Sequence, residues 1–125
     1  MGTNRRLEGA HAEELAARYL VARGYRVLHR NHQIRSGELD LVVSAPDGTL
    51  CFVEVRARAD VSFGQPAETV GRTKRGRLIS AARHYLATKT RGEPPCRFDV
   101  VEVIGEISGD PRIHHIADAF RLDDF

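Results

Sequence analysis

The chain of 125 residues has few cysteines and no long apolar stretch. Its two cysteines, Cys51 and Cys96, form no C-x-x-C motif and have no histidine at ligand spacing. This pattern excludes a zinc ribbon and a disulfide-rich secreted scaffold, and it suits a reducing cytosol. No apolar run approaches the roughly 20 residues of a membrane-spanning helix, and residues 1–6 lack the apolar stretch of a signal peptide. We therefore expect a cytoplasmic protein without a membrane partner.

Two motifs that handle phosphates or esters are also absent, and lysine is scarce. The sequence contains no glycine-rich phosphate loop and no G-x-S-x-G nucleophile elbow. Of its 19 basic residues, only Lys74 and Lys89 are lysines. The net charge is +2, but residues 1–93 carry +6 and residues 94–125 carry −4. A basic body with an acidic end is compatible with a nucleic-acid partner and does not establish one by itself.

The spacing of apolar residues predicts one small α/β domain over residues 1–125. A helix over about 4–23 ends at Gly24, and a second helix runs over about 67–89. The predicted strands cover about 25–30, 38–44, 50–57, 98–104 and 113–116. In this order, hairpins come first and a helix then crosses over to a further strand. The sequence therefore predicts a mixed sheet flanked by helices.

Two carboxylates, Asp40 and Glu54, each lie between two apolar residues of a predicted strand. A buried carboxylate needs a partner, usually a cation or a metal. A three-residue turn over 46–48 would place Asp40 directly opposite Glu54, whereas a two-residue turn would put them on opposite faces. Pro46 suits the first position of the longer turn and Gly48 suits its left-handed position. We therefore predict the longer turn and a shared carboxylate site.

Further side chains join this candidate site. Arg56 lies two residues beyond Glu54 on the same face, opposite Glu38, which we interpret as a solvated residue rather than a partner of Arg56. Glu13 falls at the edge of the apolar face of the first helix, and Gly9, one turn earlier, is expected to let the helix approach the sheet. Three oxygen ligands with room for water suit Mg²⁺ or Mn²⁺ rather than zinc.

The alternation of strand residues makes two more predictions. Leu39, Leu41 and Val43 are expected on one face of their strand. His114 and His115 are adjacent and should face opposite ways, so they are not expected to bind one metal ion.

Basic residues cluster at the start of the second predicted helix, at Arg72, Lys74, Arg75 and Arg77. Such a cluster is most often a solvated face, but Lys74 and Arg75 are predicted to face the cleft where a phosphate would lie. Gln65 precedes the helix and could hydrogen-bond a substrate or simply belong to the loop. We take these five residues as candidates for nucleic-acid binding, which predicts a steep dependence of binding on salt.

The sequence resembles the bacterial YraN family over nearly its whole length. The resemblance rests on Gly9…Glu13-x-x-Ala16, Gly37-Glu38-Leu39-Asp40-Leu41-Val42, Phe52-Val53-Glu54-Val55-Arg56-x-Arg58, Phe63-Gly64…Pro66…Val70…Lys74, Arg97-Phe98-Asp99-Val100-Val101 and Ile116-x-x-Ala119-Phe120. This family looks like a compact member of the PD-(D/E)xK, or restriction-endonuclease-like, superfamily, close to archaeal Holliday-junction resolvases. The resemblance implies an αβββαβ core, with Asp40 as the motif aspartate, Glu54 as the motif glutamate and Glu13 as a helix carboxylate.

Arg56 departs from the superfamily pattern, because it stands where the motif lysine is expected. In such nucleases the lysine is proposed to orient or deprotonate the attacking water, or to stabilise charge on the phosphate. Arginine keeps its proton at any working pH, so it can donate to a phosphate but cannot act as a base. Water can be activated by a divalent metal without a protein base, so hydrolysis is not excluded.

We therefore predict a nucleic-acid-binding phosphodiesterase that depends on Mg²⁺ or Mn²⁺, with Asp40, Glu54 and Arg56 as catalytic residues and DNA as the favoured substrate class. A second interpretation is a binding module for nucleic acid or a ribonucleoprotein, in which these three residues form only a structural charge network. A protein-interaction adaptor is a third interpretation, and it predicts no affinity for nucleic acid. Junction resolvases of related architecture are dimers, so a homodimer is compatible with the resemblance, although no residue identifies a dimer surface.

Overall fold

The computed structural model describes residues 5–58, 70–106 and 109–122, which form two helices and a five-stranded sheet. In chain order the elements are α1 (Arg5–Ala22), β1 (Arg26–Ile34), β2 (Gly37–Ser44), β3 (Leu50–Arg58), α2 (Arg72–Lys89), β4 (Cys96–Ile104) and β5 (Arg112–Phe120). This α/β arrangement is consistent with the predicted αβββαβ core. Among the described residues, neither helix has the length and apolar character needed to cross a membrane.

The five strands lie side by side in their order along the chain. Strands β1 to β3 form two antiparallel pairs, β3 and β4 are parallel, and β4 and β5 are antiparallel. A parallel pair needs a crossover connection, which α2 supplies here. The predicted mixed sheet, with hairpins before a helical crossover, is confirmed.

Each face of the sheet is covered by one helix. On one face, small and apolar residues of α1 pack against the centre of the sheet. The buried members of this cluster are Ala16, Ala17, Leu20, Leu41, Val43, Ala45, Cys51, Val53 and Val101. On the other face, α2 packs Leu78, Ile79, Ala81, Ala82 and Tyr85 against Leu39, Val42, Leu50, Phe52, Phe98, Val100 and Phe120. Burial of these two apolar layers is the main source of stability for a two-layered core of this kind.

The turn between β2 and β3 has the predicted length and sets the strand register. The amide of Gly48 donates to the carbonyl of Ala45 at 2.8 Å, and Gly48 adopts a φ of +89°, which an L-residue with a side chain rarely occupies. As a result, Leu41 pairs with Val53 across the two strands. The predicted register is therefore confirmed.

Some element boundaries differ from those predicted. Helix α1 ends near Gly24 as expected, where the amides of Gly24 and Tyr25 donate to the last carbonyls of the helix at 3.0 and 3.1 Å. Helix α2 begins at Arg72 rather than near 67, and residues 67–69 lie outside the described residues. Strands β1 and β5 each have nine residues and are longer than predicted. Both are edge strands with much exposed surface, so their sequences lack the apolar alternation that reveals a strand.

The antiparallel pair of β4 and β5 is held by a buried carboxylate, Asp99, which is 1% exposed. Its oxygens accept hydrogen bonds from Arg97 Nε at 2.9 Å and from the amide of Asp118 at 3.0 Å, and His115 Nε2 lies 2.8 Å away. Burial acts to raise the pKa of Asp99, but the hydrogen bonds from His115 and Arg97 hold it below its usual value. Asp99, which the sequence showed only as part of the Arg97–Val101 motif, therefore has a structural role between β4 and β5.

Candidate metal and phosphate site

The alternation of β2 is interrupted at Asp40. Leu41 and Val43 pack on the α1 side of the sheet, whereas Leu39 packs with Val42 on the α2 side. The prediction that Leu39 shares a face with Leu41 and Val43 is therefore wrong. The interruption brings the Asp40 carboxylate to β3, where its Oδ2 atom accepts a hydrogen bond from the amide of Val55 at 2.8 Å.

The carboxylates of Asp40 and Glu54 lie close enough to repel each other. The ladder between β2 and β3 ends at Leu41 and Val53, one residue before Asp40 and Glu54 in each strand. Burial, followed by repulsion from Glu54, raises the pKa of Asp40 to about 7. Glu54 is only 8% exposed, and burial also raises its pKa. The pair therefore places two acidic groups, one buried and one partly buried, at the end of the hairpin ladder.

Lys74, in the first turn of α2, provides the cation in contact with this pair. Its Nζ atom lies 3.3 Å from Glu54 Oε1. The lysine side chain is 45% exposed, whereas that of Glu54 is 10% exposed. The ammonium group therefore reaches the buried carboxylate from the solvent side of the site. Its predicted orientation towards the cleft agrees with this contact.

The start of α2 is fixed by contacts with two strands and with the segment that precedes the helix. A Cβ atom on Gly37 would lie 1.9 Å from the backbone oxygen of Arg77, so only glycine allows β2 and α2 to approach this closely. Arg75 Nε donates to the carbonyl of Val70 at 2.8 Å, and its guanidinium lies 5.5 Å from the ring centroid of Phe120. These contacts hold the first two turns of α2 against the start of β2 and beside Phe120 of β5.

Glu13 of α1 approaches the pair from the other helix. Burial and repulsion from Asp40 raise the pKa of Glu13, while a hydrogen bond with the Asn31 side chain lowers it. Glu14, in contrast, faces solvent as expected and forms ion pairs with two arginines. Gly9 does not bring the helix close to the sheet, because a Cβ atom there would meet nothing within 4 Å. Small residues on the buried side of α1 allow the close approach instead.

The donor chemistry fits a hard divalent cation. Within residues 5–58, 70–106 and 109–122, no three His, Cys, Asp or Glu side chains come together as a metal site. The strong donors are thus two carboxylates, Asp40 and Glu54, whose pKa values are both raised, first of all by burial. Carboxylate oxygens with water in the remaining positions suit Mg²⁺ or Mn²⁺. Glu13 as a further ligand stays a prediction.

The other predicted site residues are less closely engaged. Arg56 is partly buried and acts on Glu54 electrostatically, lowering the pKa that burial raises. Arg72 and Arg77 are exposed on α2. Gln65 lies outside the described residues.

Two acidic residues of the neighbouring strands have partners of their own. Glu38 is exposed and accepts a hydrogen bond from Gln33 Nε2 at 2.7 Å, in agreement with its interpretation as a solvated residue. Glu102 is 3% exposed, pairs with Arg58 Nη1 at 2.6 Å and lies 3.3 Å from His114 Nδ1. Because His115 contacts Asp99 instead, the two histidines face opposite ways, as predicted.

Comparisons with known proteins identify one family over most of the chain. A family model described as "Uncharacterised protein family UPF0102" matches residues 12–103. A UPF0102 protein of Cupriavidus taiwanensis is 50% identical over 98 residues, which cover 78% of this chain and 74% of that protein. A UPF0102 protein of Chlorobium limicola is 42% identical over 118 residues and 90% of each chain. One from Pelotomaculum thermopropionicum is 46% identical over 121 residues, 96% of this chain and 100% of its own.

Proposed function

Because the chain belongs to UPF0102, the uncharacterised YraN family that its motifs resemble, we propose a function from its site rather than from a relative. The function is a phosphodiesterase that binds nucleic acid and depends on a divalent metal. One observation carries the proposal. Two carboxylates from adjacent strands, the partly buried Asp40 and the buried Glu54, lie close enough for Glu54 to raise the pKa of Asp40, and Lys74 lies 3.3 Å from Glu54. Buried carboxylates with shifted pKa values are typical of functional sites.

Each residue of the site has a role in this proposal. Asp40 and Glu54 hold the metal, which when bound supplies positive charge to the scissile phosphate and makes a water more acidic. Arg56 donates hydrogen bonds to the phosphate, a role that its permanent charge allows. In the hydrolysis, a water oxygen bonds to phosphorus and the bond to the leaving sugar oxygen breaks. The proton released by the water passes to solvent, and the leaving oxygen takes a proton from solvent.

The basic residues of α2 supply the contacts to the nucleic-acid backbone. Arg72 and Arg77 are exposed on the same helix end as Lys74, so a strand that reaches the carboxylates can also meet these side chains. DNA as the substrate class and the cytoplasm as the location belong to this proposal. A homodimer is also part of it, and sedimentation analysis of the full chain tests that part.

The first experiment is a calorimetric titration of Mn²⁺ into the wild type, Asp40→Asn and Asp47→Asn. Asp47 is an exposed carboxylate of the β2–β3 turn that caps the Thr49 amide at 2.9 Å, and asparagine keeps that role. We expect Mn²⁺ binding to the wild type and to Asp47→Asn, and a loss of at least tenfold in affinity in Asp40→Asn. Cleavage of linear and branched DNA with Mg²⁺ should follow the same order and should stop in EDTA.

Either of two results would reject this mechanism. The first is cleavage by Asp40→Asn at the wild-type rate. The second is a wild type that binds no Mn²⁺, with or without DNA, and that cleaves no nucleic acid.

A binding module without catalysis is the second candidate function. It is favoured by the Lys74–Glu54 ion pair, because this contact already gives one carboxylate a cation without any metal. Under this hypothesis the protein binds nucleic acid in EDTA, the binding weakens with salt, and Asp40→Asn leaves it unchanged. The two hypotheses therefore differ in whether Asp40 and Mg²⁺ are needed for cleavage of nucleic acid.

A further inference from the structure

Among the described residues, the ion pair of Glu54 does not come from the strand that carries the superfamily motif. Arg56 occupies the motif position on β3 and lowers the pKa of Glu54 electrostatically. Lys74 instead reaches Glu54 directly from α2, with 3.3 Å between Nζ and Oε1. The site thus contains a lysine in contact with the glutamate, but on a different element.

The backbone position of this lysine is fixed by the packing of α2. Helix α2 is held against β2 one turn beyond Lys74, where Gly37 leaves no room for a Cβ atom beside the Arg77 carbonyl. Arg75, the next residue along the helix, is bound to the Val70 carbonyl at 2.8 Å. The other lysine of the chain, Lys89, lies in the last turn of the same helix, roughly 22 Å away along its axis.

We propose that Lys74 is the catalytic lysine of this protein, supplied by α2 in place of a lysine on β3. This inference rests on the phosphodiesterase proposed above. The Lys74 ammonium donates a hydrogen bond to a non-bridging oxygen of the scissile phosphate beside Glu54, and so orients the phosphate for attack by water. Arg56 then holds the phosphate from the strand side. Removing such a donor from a reaction that develops charge on phosphate oxygens typically costs about 100-fold to 1000-fold in rate.

The test moves the lysine between the two elements. It compares Lys74→Met, Lys74→Met combined with Arg56→Lys, and Lys89→Met as the matched control on the far end of α2. Each variant is assayed for Mn²⁺ affinity by calorimetry, for DNA affinity in Ca²⁺ or EDTA, and for single-turnover cleavage with Mg²⁺. Circular dichroism melts confirm that each variant is folded.

We expect Lys74→Met to cleave about 100-fold more slowly, with Mn²⁺ affinity equal to or several-fold above that of the wild type, because a positive charge beside the metal ligands is gone. The double variant should recover at least tenfold of the lost rate, and Lys89→Met should behave as the wild type. A purely structural lysine would not be rescued by a lysine on β3.

Three results would overturn the inference. If Lys74→Met cleaves at the wild-type rate, Lys74 is not catalytic, although the protein is still a phosphodiesterase. If Lys74→Met no longer binds Mn²⁺, the lysine maintains the structure of the metal site instead. If the double variant cleaves no faster than Lys74→Met, a lysine on β3 cannot replace the lysine on α2. A wild type that neither binds Mn²⁺ nor cleaves instead rejects the proposed function and this inference together.

Discussion

At the residue scale, Asp40 is the most unusual side chain of the protein. Its Oδ2 atom accepts one hydrogen bond, from the Val55 amide, while Glu54 and Glu38 repel its charge. Burial and this repulsion raise its pKa to about 7, so that in the metal-free protein it binds a proton near neutral pH. The native state therefore favours the protonated form, and ionisation destabilises it.

The first prediction concerns the pH dependence of stability without metal. Because the pKa of Asp40 is higher in the folded chain than in the unfolded chain, its protonation stabilises the fold at low pH. This contribution is lost as the pH rises from about 4 to about 7, and it corresponds to roughly 4 kcal/mol at most. Asp40→Asn should remove this part of the pH dependence and be more stable than the wild type at pH 8.

Urea unfolding in EDTA at pH 5 and pH 8 measures this effect. Asp47→Asn serves as the control, because Asp47 is an exposed turn residue whose pKa is lowered by hydrogen bonds with Thr49. If Asp40→Asn keeps the wild-type difference between the two pH values, then Asp40 does not titrate in this range and the repulsion argument is wrong.

At the scale of elements, the contact between β2 and α2 decides where Lys74 lies. Gly37 begins β2 and touches the backbone of α2 at Arg77, and the hydroxyls of Ser36 and Ser80 form a hydrogen bond beside this contact. The turn that follows β2 was predictable, because its proline and glycine have fixed backbone preferences. The contact itself was not, since it depends on how a helix 35 or more residues later packs against the strand.

The second prediction tests this contact with alanine substitutions at two glycines. Gly37→Ala would place its Cβ atom 1.9 Å from the Arg77 carbonyl oxygen, and backbone atoms must shift to relieve this overlap. We expect a loss of roughly 3 kcal/mol or more in the free energy of unfolding. Gly76→Ala, in the interior of α2 with nothing within 4 Å, should instead gain up to about 1 kcal/mol.

Chemical denaturation of both variants measures the two effects. The Gly37→Ala variant should also bind Mn²⁺ with altered affinity, because displacement of α2 moves Lys74 away from Glu54. A Gly37→Ala protein as stable as Gly76→Ala would show that β2 and α2 do not approach each other as closely as described.

At the scale of the whole molecule, the uneven charge distribution connects the fold to the proposed partner. The basic excess lies in residues 1–93, and the exposed Arg72 and Arg77 lie at the same end of α2 as Lys74. Contacts with phosphates release counterions, so binding through such a surface weakens steeply as salt rises. The charge pattern alone is also compatible with a solvated surface. Its position beside the carboxylate pair is what favours a phosphate-binding surface.

The third prediction concerns the salt dependence of DNA binding, measured by fluorescence anisotropy in EDTA between 50 and 300 mM salt. The logarithm of the affinity should fall linearly with the logarithm of the salt concentration, and Arg77→Met should reduce the slope by about 1. Lys89→Met should not change the slope, because Lys89 lies about 18 Å further along α2. A wild-type affinity that does not change with salt would exclude a phosphate-binding surface.

The sequence predicted the parts of the fold that residues close along the chain control. It missed the full extent of the strands at the edges of the sheet. The order of elements and the β2–β3 register followed from apolar periodicity and from a turn whose residues fix their own backbone angles. The full lengths of β1 and β5 did not, because an edge strand is stabilised by its neighbour and its exposed residues carry no pattern. Asp99 was likewise recognised as a motif residue, but its hydrogen bonds with β5 come from the tertiary fold.

For the candidate site, the amino-acid sequence by itself determined the family, the register of the hairpin that carries Asp40 and Glu54, and the presence of an arginine, Arg56, where the motif lysine is expected. These are properties of motifs and of residues close together along the chain. Only the tertiary structure decided that Lys74 contacts Glu54 and that the break in alternation brings Asp40 to the Val55 amide. Both depend on packing between distant elements, whose distances are set by the shape of the buried core and not by any local spacing.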